Sequence, residues 1–364
     1  MKCTVEKTAF LQHLQKVVNI VSRRSTIPIL SNIKLEAAGK ELKLTANNLE
    51  IVIETTMKAA VTEAGGTTLP AKSLTDLANR LTGTEIQLNS DRNFHCEIIC
   101  GNAAFKLLGM DPSDFPEPFG AEENGKITLK VADYNRLIDQ VSYAVSRDDS
   151  RKILQGILFS VKDGTLTAAA TDGKRLAIAE ATPDAVEGDA GDIVIPHRSA
   201  LEIRRLLSGD APIVLAYGGK NMTVRIGPTV LTTKLPEGEF PDFRRAIPKN
   251  FGKTVQLAAA PLLSSLELVS IPLSGSSSVE LTFSPGRLKL HAEATNIGEG
   301  TDTVDIRYDY GEEIRMILNP NFLCDPLKCA GTETIGLRLN DENSPIALEN
   351  GSGFTYILMP IRGH

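Results

Sequence analysis

Residues 3–22 read CTVEKTAFLQHLQKVVNIVS, and what decides the fold is that this pattern occurs again. Residues 127–146 read ITLKVADYNRLIDQVSYAVS, and residues 254–274 read TVQLAAAPLLSSLELVSIPLS. Each begins with a short alternating stretch and continues as an amphipathic helix. Phe10, Leu14, Val17, Val18 and Val21 fall on one helical face, as do Tyr134, Leu137, Ile138, Val141 and Val145. The third copy carries Leu262, Leu266 and Val269 in the same role. Internal periodicity of this kind governs the architecture before any local assignment does.

Each helix is followed by two short alternating runs around a Gly-containing turn, with Gly39, Gly164 and Gly286 at matching positions. Such turns call for a positive φ, which Gly adopts without strain. A further strand ending near Pro and a second helix follow, in TTLPAKSLTDLANRL, DIVIPHRSALEIRRL and MILNPNFLCDPLKCA. Landmarks repeat at 124 or 125 residues between the first two copies (Leu42 to Leu166, Phe115 to Phe240) and at 122 to the third (Leu166 to Leu288). The expected fold is therefore α+β, three tandem copies of about 120 residues, each with two helices packed on antiparallel sheets. Boundaries are expected at 1–123, 124–249 and 250–364, where polar stretches containing Gly, Pro or Asn lie.

Composition narrows the function classes. The chain has 364 residues, 42% hydrophobic and 23% charged, with a formal charge of −6. The longest uncharged stretch, 254–266, is far short of the ~20 residues a membrane helix needs. The opening MKCTVEKTAF has no apolar run, and five Cys make no dense disulfide framework, so a reducing cytoplasm is the expected compartment. No phosphate loop, nucleophile elbow, HExxH or dinucleotide turn is present. FHCEIIC offers His95, Cys96 and Cys100, but residues four apart on a strand are separated by roughly 13 Å, too far to share one metal. No cofactor or metal is expected.

Asp172-Gly173-Lys174-Arg175 admits two readings. It is a tight turn between strands, or a catalytic acid beside a phosphate-binding pair in a phosphate-ester enzyme. Charge placement points elsewhere. The six expected helices carry a net +5 against −11 on the rest of the chain, which suits a helical face following a phosphate backbone. A repeat scaffold for proteins alone is the remaining alternative.

With the repeats in view, TIPIL at 26–30, ATDGKRLA at 170–177, KLPEGEFPDFRRAIP at 234–248 and MPIR at 359–362 make the chain resemble the bacterial DNA polymerase III β subunit, the replicative sliding clamp, over its whole length. The resemblance implies a non-enzymatic processivity factor: a head-to-tail homodimeric ring around duplex DNA, blind to sequence. It also implies a cleft for short peptides of the polymerase III alpha subunit, the clamp-loader delta subunit, other polymerases and repair proteins. Carried over by motif, the cleft comprises Leu154, Thr171, Gly173, Lys174, Arg175, Leu176, Pro241, Arg245, Ala246, Ser344, Ile357, Leu358, Met359, Pro360, Ile361 and Arg362. That is an aliphatic trough rimmed by arginines, suited to Leu and Phe anchors with a polar Gln. DNA contacts are implied at Arg24, Lys72 and Arg198, and in loop 147–153 at Arg147, Asp148, Arg151, Lys152 and Ile153. The dimer contact is implied between Phe105 and Leu107 on one side and Ile271 and Leu273 on the other. Lys174 stands where members often carry His, Ala246 where a larger aliphatic is usual, and Asp148 where a neutral polar residue is usual. Gly363 and His364 extend past the usual ending, next to the cleft.

Overall fold

The computed structural model describes residues 1–22, 26–120, 122–188, 191–273, 278–295, 297–331 and 333–361. The chain divides into two compact units. One comprises Met1–Val131, Ala185–Asp189 and Glu202–Leu235, and the other Ala132–Asp184, Ala190–Leu201 and Pro236–His364.

The first unit contains two antiparallel sheets. A five-stranded sheet runs in the order Ala60–Glu63, Lys2–Glu6, Glu85–Ser90, Cys96–Cys100, Ala103–Leu107. A nine-stranded sheet runs Ala185–Gly188, Gly125–Leu129, Ile213–Gly218, Asn221–Ile226, Thr229–Lys234, Ile51–Lys58, Glu41–Asn47, Asn32–Ala38, Gly65–Pro70. Helices α1 (Lys7–Val18) and α2 (Ala71–Arg80) pack on one another. Glu6 starts α1 by accepting from the Thr8 and Ala9 amides at 2.8 and 2.6 Å, and these donors hold its carboxyl below the usual range. Phe10, Leu14 and Val17 are buried as the periodicity requires. Val18 and Val21 are only half-buried and Ile20 takes the core position instead, because the helix ends at Val18 and the chain turns.

The second unit repeats the plan. Its eight-stranded sheet runs Ile193–Pro196, Gly156–Lys162, Thr165–Thr171, Arg175–Ala181, Phe354–Leu358, Ile346–Glu349, Thr334–Leu339, Lys253–Ala258. Its four-stranded sheet runs Gly298–Asp305, Arg287–Ala294, Val279–Ser284, Ile314–Leu318. Helix α3 (Val131–Val141) is joined to α4 (His197–Leu206), whose later half from Glu202 belongs to the first unit, by the Tyr134 hydroxyl, which donates to the Ala200 carbonyl at 3.1 Å. Helices α5 (Ala259–Val269) and α6 (Pro320–Cys329) pack together. Pro326 inside α6 has no N–H for the Phe322 carbonyl, and the Tyr356 hydroxyl donates to that carbonyl instead, at 2.7 Å.

The threefold order of strand, helix, hairpin, strand and helix is present throughout, and Gly39, Gly164 and Gly286 have φ of 59°, 78° and 76° at their matching turns. The compact units nevertheless cut across the repeats. Thr229–Lys234 of the second copy pairs antiparallel with Ile51–Lys58 of the first, and Phe354–Leu358 of the third pairs with Arg175–Ala181 of the second. Strands of two successive copies thus close one continuous sheet. Two smaller sheets remain, and among the described residues Ala103–Leu107 of the first copy ends one and Gly298–Asp305 of the third ends the other with no strand paired on its outer side.

One joint carries a titratable group. His13 Nδ1 lies 2.7 Å from the Thr55 hydroxyl, itself 2.9 Å from that of Thr229. Burial, reinforced by Lys16, pulls the imidazole below its ordinary value. The unfolded chain therefore takes the proton more readily than the folded one. This stability is fully present above about pH 6.5 and is lost as pH falls through that value toward the folded pKa. His13→Gln is expected to flatten the pH dependence of the urea midpoint between about pH 7 and 5; an unchanged slope would assign it to other groups.

Candidate peptide-binding cleft and nucleic-acid face

In the second unit, Arg175 pairs with Leu358 and Leu176 with Ile357. An apolar cluster of Leu158, Ala169, Leu176, Ile178, Val194, Phe243, Ala347 and Ile357 gathers at this joint, with Ile153, Phe240, Ile247 and Phe251 packed partly buried against it. Leu154 and Leu358 are also buried, whereas Met359 (43% exposed) and Ile361 present their side chains to solvent. The Met359 amide donates to the Lys174 carbonyl at 3.0 Å, and the Ile361 amide to that of Ile317 at 2.8 Å. The strand end is therefore fixed while its side chains stay open.

The turn beside it is built by Asp172. Its Oδ1 accepts from the Lys174 and Arg175 amides at 2.9 and 3.1 Å, and its Oδ2 lies 3.0 Å from Arg175 Nε. Gly173 has φ of 88°, and a Cβ there would come within 3.0 Å of Arg151 Nη1. The Thr171 hydroxyl donates to the Arg175 carbonyl at 2.6 Å and accepts from the Gly173 amide at 3.1 Å. With its carboxylate committed to backbone amides and a buried guanidinium, Asp172 is a turn-former. The phosphate-ester enzyme reading loses its acid.

Arg175 departs from its expected place on the rim. It is only 8% exposed. Its Nη1 lies 2.6 Å from Asp325 Oδ2, its Nη2 donates to the Tyr143 carbonyl, and its guanidinium stacks 4.1 Å from the Phe322 ring. Buried guanidinium groups require such pairing, and the ring face adds a cation–π contact. Arg245, by contrast, is 87% exposed and ion-paired with Asp242 at 2.9 Å. Pro241, Ala246 and Lys174 are exposed, and Pro360 is half-buried. The Ser344 hydroxyl is donated to Asp341 at 2.8 Å. Arg362, Gly363 and His364 lie outside the described residues.

Of the implied DNA contacts, Lys72, Arg147, Lys152 and Arg198 are exposed, and Arg24 lies outside the described residues. Loop 147–153 is tied to itself: Asp148 Oδ1 accepts from the Ser150 amide and hydroxyl, which hold its carboxyl below the usual range, and Asp148 Oδ2 lies 3.4 Å from Arg151 Nε. Arg151 Nη2 also donates to the Asp172 carbonyl at 2.9 Å. Ile153 packs on the apolar cluster. Arg151 is therefore tied to the Asp172 turn and Ile153 to the apolar cluster, although both belong to the loop. The basic helix surface is partly internal too, since Arg205 of α4 donates to the Gln15 and Lys16 carbonyls at the end of α1, at 3.0 and 2.7 Å.

For the implied dimer contact, Phe105 is exposed and Leu107 half-buried on the free edge Ala103–Leu107, with Leu108 and Met110 exposed beyond it. Ile271 (76% exposed) and half-buried Leu273 follow α5, which packs on the other free-edge strand, Gly298–Asp305. The metal candidate has a different character: Cys96 and Cys100 are buried, and burial pushes the Cys96 thiol up to about 12.

Sequence reasoning missed the aromatic residues of this apolar cluster. Phe240 and Phe243 stand in the quoted EFPDF, where a 3₁₀ turn at Phe243–Ala246 brings Phe243 inward. Phe251, which packs on the cluster, and Phe322, which stacks on Arg175, carried no local signal.

Family models for the N-terminal, central and C-terminal domains of the DNA polymerase III beta subunit match residues 1–118, 128–242 and 244–362. The chain is 32% identical to the beta sliding clamp of Chlamydia muridarum and 31% to that of Escherichia coli, each alignment covering all of both proteins. Among solved structures it resembles the beta sliding clamp of Caulobacter crescentus (TM-score 0.93, 30% identity, 100% of this chain and 99% of that one). It also resembles the sliding clamp of Bartonella birtlesii bound to griselimycin (TM-score 0.95, 28% identity, all of both chains). Three repeats, two sheets shared between successive copies and an apolar cluster at the second joint are thus features of a fold matched from end to end, and the chain belongs to the DNA polymerase III beta subunit family, the beta sliding clamps.

Proposed function

We propose that this chain is a DNA polymerase processivity factor that closes as a head-to-tail homodimer around duplex DNA and tethers its partners through the trough of the second unit. The observation that carries the reading is the match of all three repeats to the three domains of the family. It is an accessory subunit with no catalytic site of its own, acting by topology in DNA replication. We assign the domains to 1–123, 124–249 and 250–364, and place the protein in the cytoplasm.

The free edges support the dimer. Ala103–Leu107 stands in the first copy where Thr229–Lys234 stands in the second, and Gly298–Asp305 stands in the third where Ile51–Lys58 stands in the first. Those two strand types already pair inside the chain. A second molecule placed head to tail repeats that joint twice and leaves neither edge exposed. Exposed Lys72, Arg147, Lys152 and Arg198 supply cations for phosphate contacts that position the duplex without reading bases. The trough, with open Met359 and Ile361, fits short tails carrying Leu and Phe anchors, as in the polymerase III alpha subunit, the clamp-loader delta subunit, other polymerases and repair proteins.

After loading by a clamp loader, the protein is expected to stay on nicked circular DNA and to leave once the circle is cut. Equal loss from both forms would reduce it to a scaffold for proteins alone.

A further inference from the structure

We propose that Asp325, a residue of α6, is a positioning residue for peptide capture, acting through Arg175 on the turn that borders the trough; this rests on reading the trough as the peptide site. The Arg175 guanidinium is the link between them. It spans from Asp172 Oδ2 at 3.0 Å to Asp325 Oδ2 at 2.6 Å, donates to the Tyr143 carbonyl, and stacks on Phe322 of α6. Asp172 in turn sets the Lys174 and Arg175 amides, and the Lys174 carbonyl holds the Met359 amide. The chain of contacts therefore runs from helix to guanidinium, from guanidinium to turn, and from turn to the segment that bears the exposed anchor.

Two carboxylates on one buried guanidinium divide the work. Asp172 alone would neutralise Arg175, so charge balance does not require Asp325. What Asp325 adds is direction: it fixes the fork of a planar, five-donor group, and with it the orientation of the turn. A turn held in one orientation has less freedom to lose when a peptide docks, and this is how preorganisation raises affinity. The Pro326 break contributes to the same geometry. The Phe322 carbonyl that it frees is taken by Tyr356, on the strand that leads to Met359, so α6 grips both sides of the joint.

The test uses the full chain and a short labelled peptide carrying a Gln and a Leu-Phe pair. Asp325→Ala is expected to weaken binding roughly three- to tenfold. It should also speed amide exchange at Lys174, Arg175 and Met359 in the unliganded protein while core strands stay protected. In an Arg175→Met background, Asp325→Ala should change affinity no further. If the parent binds and Asp325→Ala binds equally well with unchanged exchange at the turn, the inference is wrong. It is equally wrong if the loss persists in full without Arg175. Should Arg175→Met not fold, amide exchange decides alone. A parent that binds no peptide is a separate result, which removes the peptide reading and this inference with it.

Discussion

Met359→Ala is expected to weaken binding of tail peptides by about 1–3 kcal/mol, a loss of roughly 5- to 150-fold in affinity, with the unfolding midpoint nearly unchanged. The side chain is open while its backbone is fixed through the Lys174 carbonyl, so truncation removes contact area without opening a cavity in the core. An unbranched thioether also adapts to different apolar partners, which suits a site serving several tails. Arg245→Ala should fall within about 1 kcal/mol, because that guanidinium is exposed and already engaged by Asp242. Fluorescence anisotropy with a labelled tail peptide compares the two directly. Overlapping curves for Met359→Ala and the parent would take the trough out of consideration as the docking site.

That contrast between two residues carried over on equal terms shows where the sequence is informative. Periodicity places Phe10, Leu14 and Val17 inside because a helical face is a local property, and the matching glycines announce positive φ for the same reason. Arg175 is different. Its neighbours in sequence describe a turn, but its fate is settled by Asp325, 150 residues away, and by a helix whose place no spacing reveals. Ile153 likewise reads as part of a basic loop, yet it packs on the apolar cluster of the second joint, as Phe240, Ile247 and Phe251 do. The division into two compact units was also out of reach, since antiparallel pairing of Ile51–Lys58 with Thr229–Lys234 joins strands from different copies. Local pattern writes each copy, and long-range pairing decides which copies share a sheet.

The same pairing logic sets the second large effect. Ile271→Asp is expected to shift the protein from about twice 39.2 kDa to 39.2 kDa in sedimentation at micromolar concentration. In the monomer the change is benign, since Ile271 is exposed and lies beyond the end of α5. In a head-to-tail ring it places an unpaired carboxylate in an apolar joint, and burial without a partner costs several kcal/mol. Because two chains close the ring through two copies of one joint, the penalty applies twice. The variant should therefore keep the parent's peptide affinity, whose proposed determinants lie around Met359, while losing retention on circular DNA. Phe105→Ala should act in the same direction and more weakly, as it removes apolar area without adding charge. A variant at Ile271 that still sediments at twice the chain mass would show that these free edges do not meet.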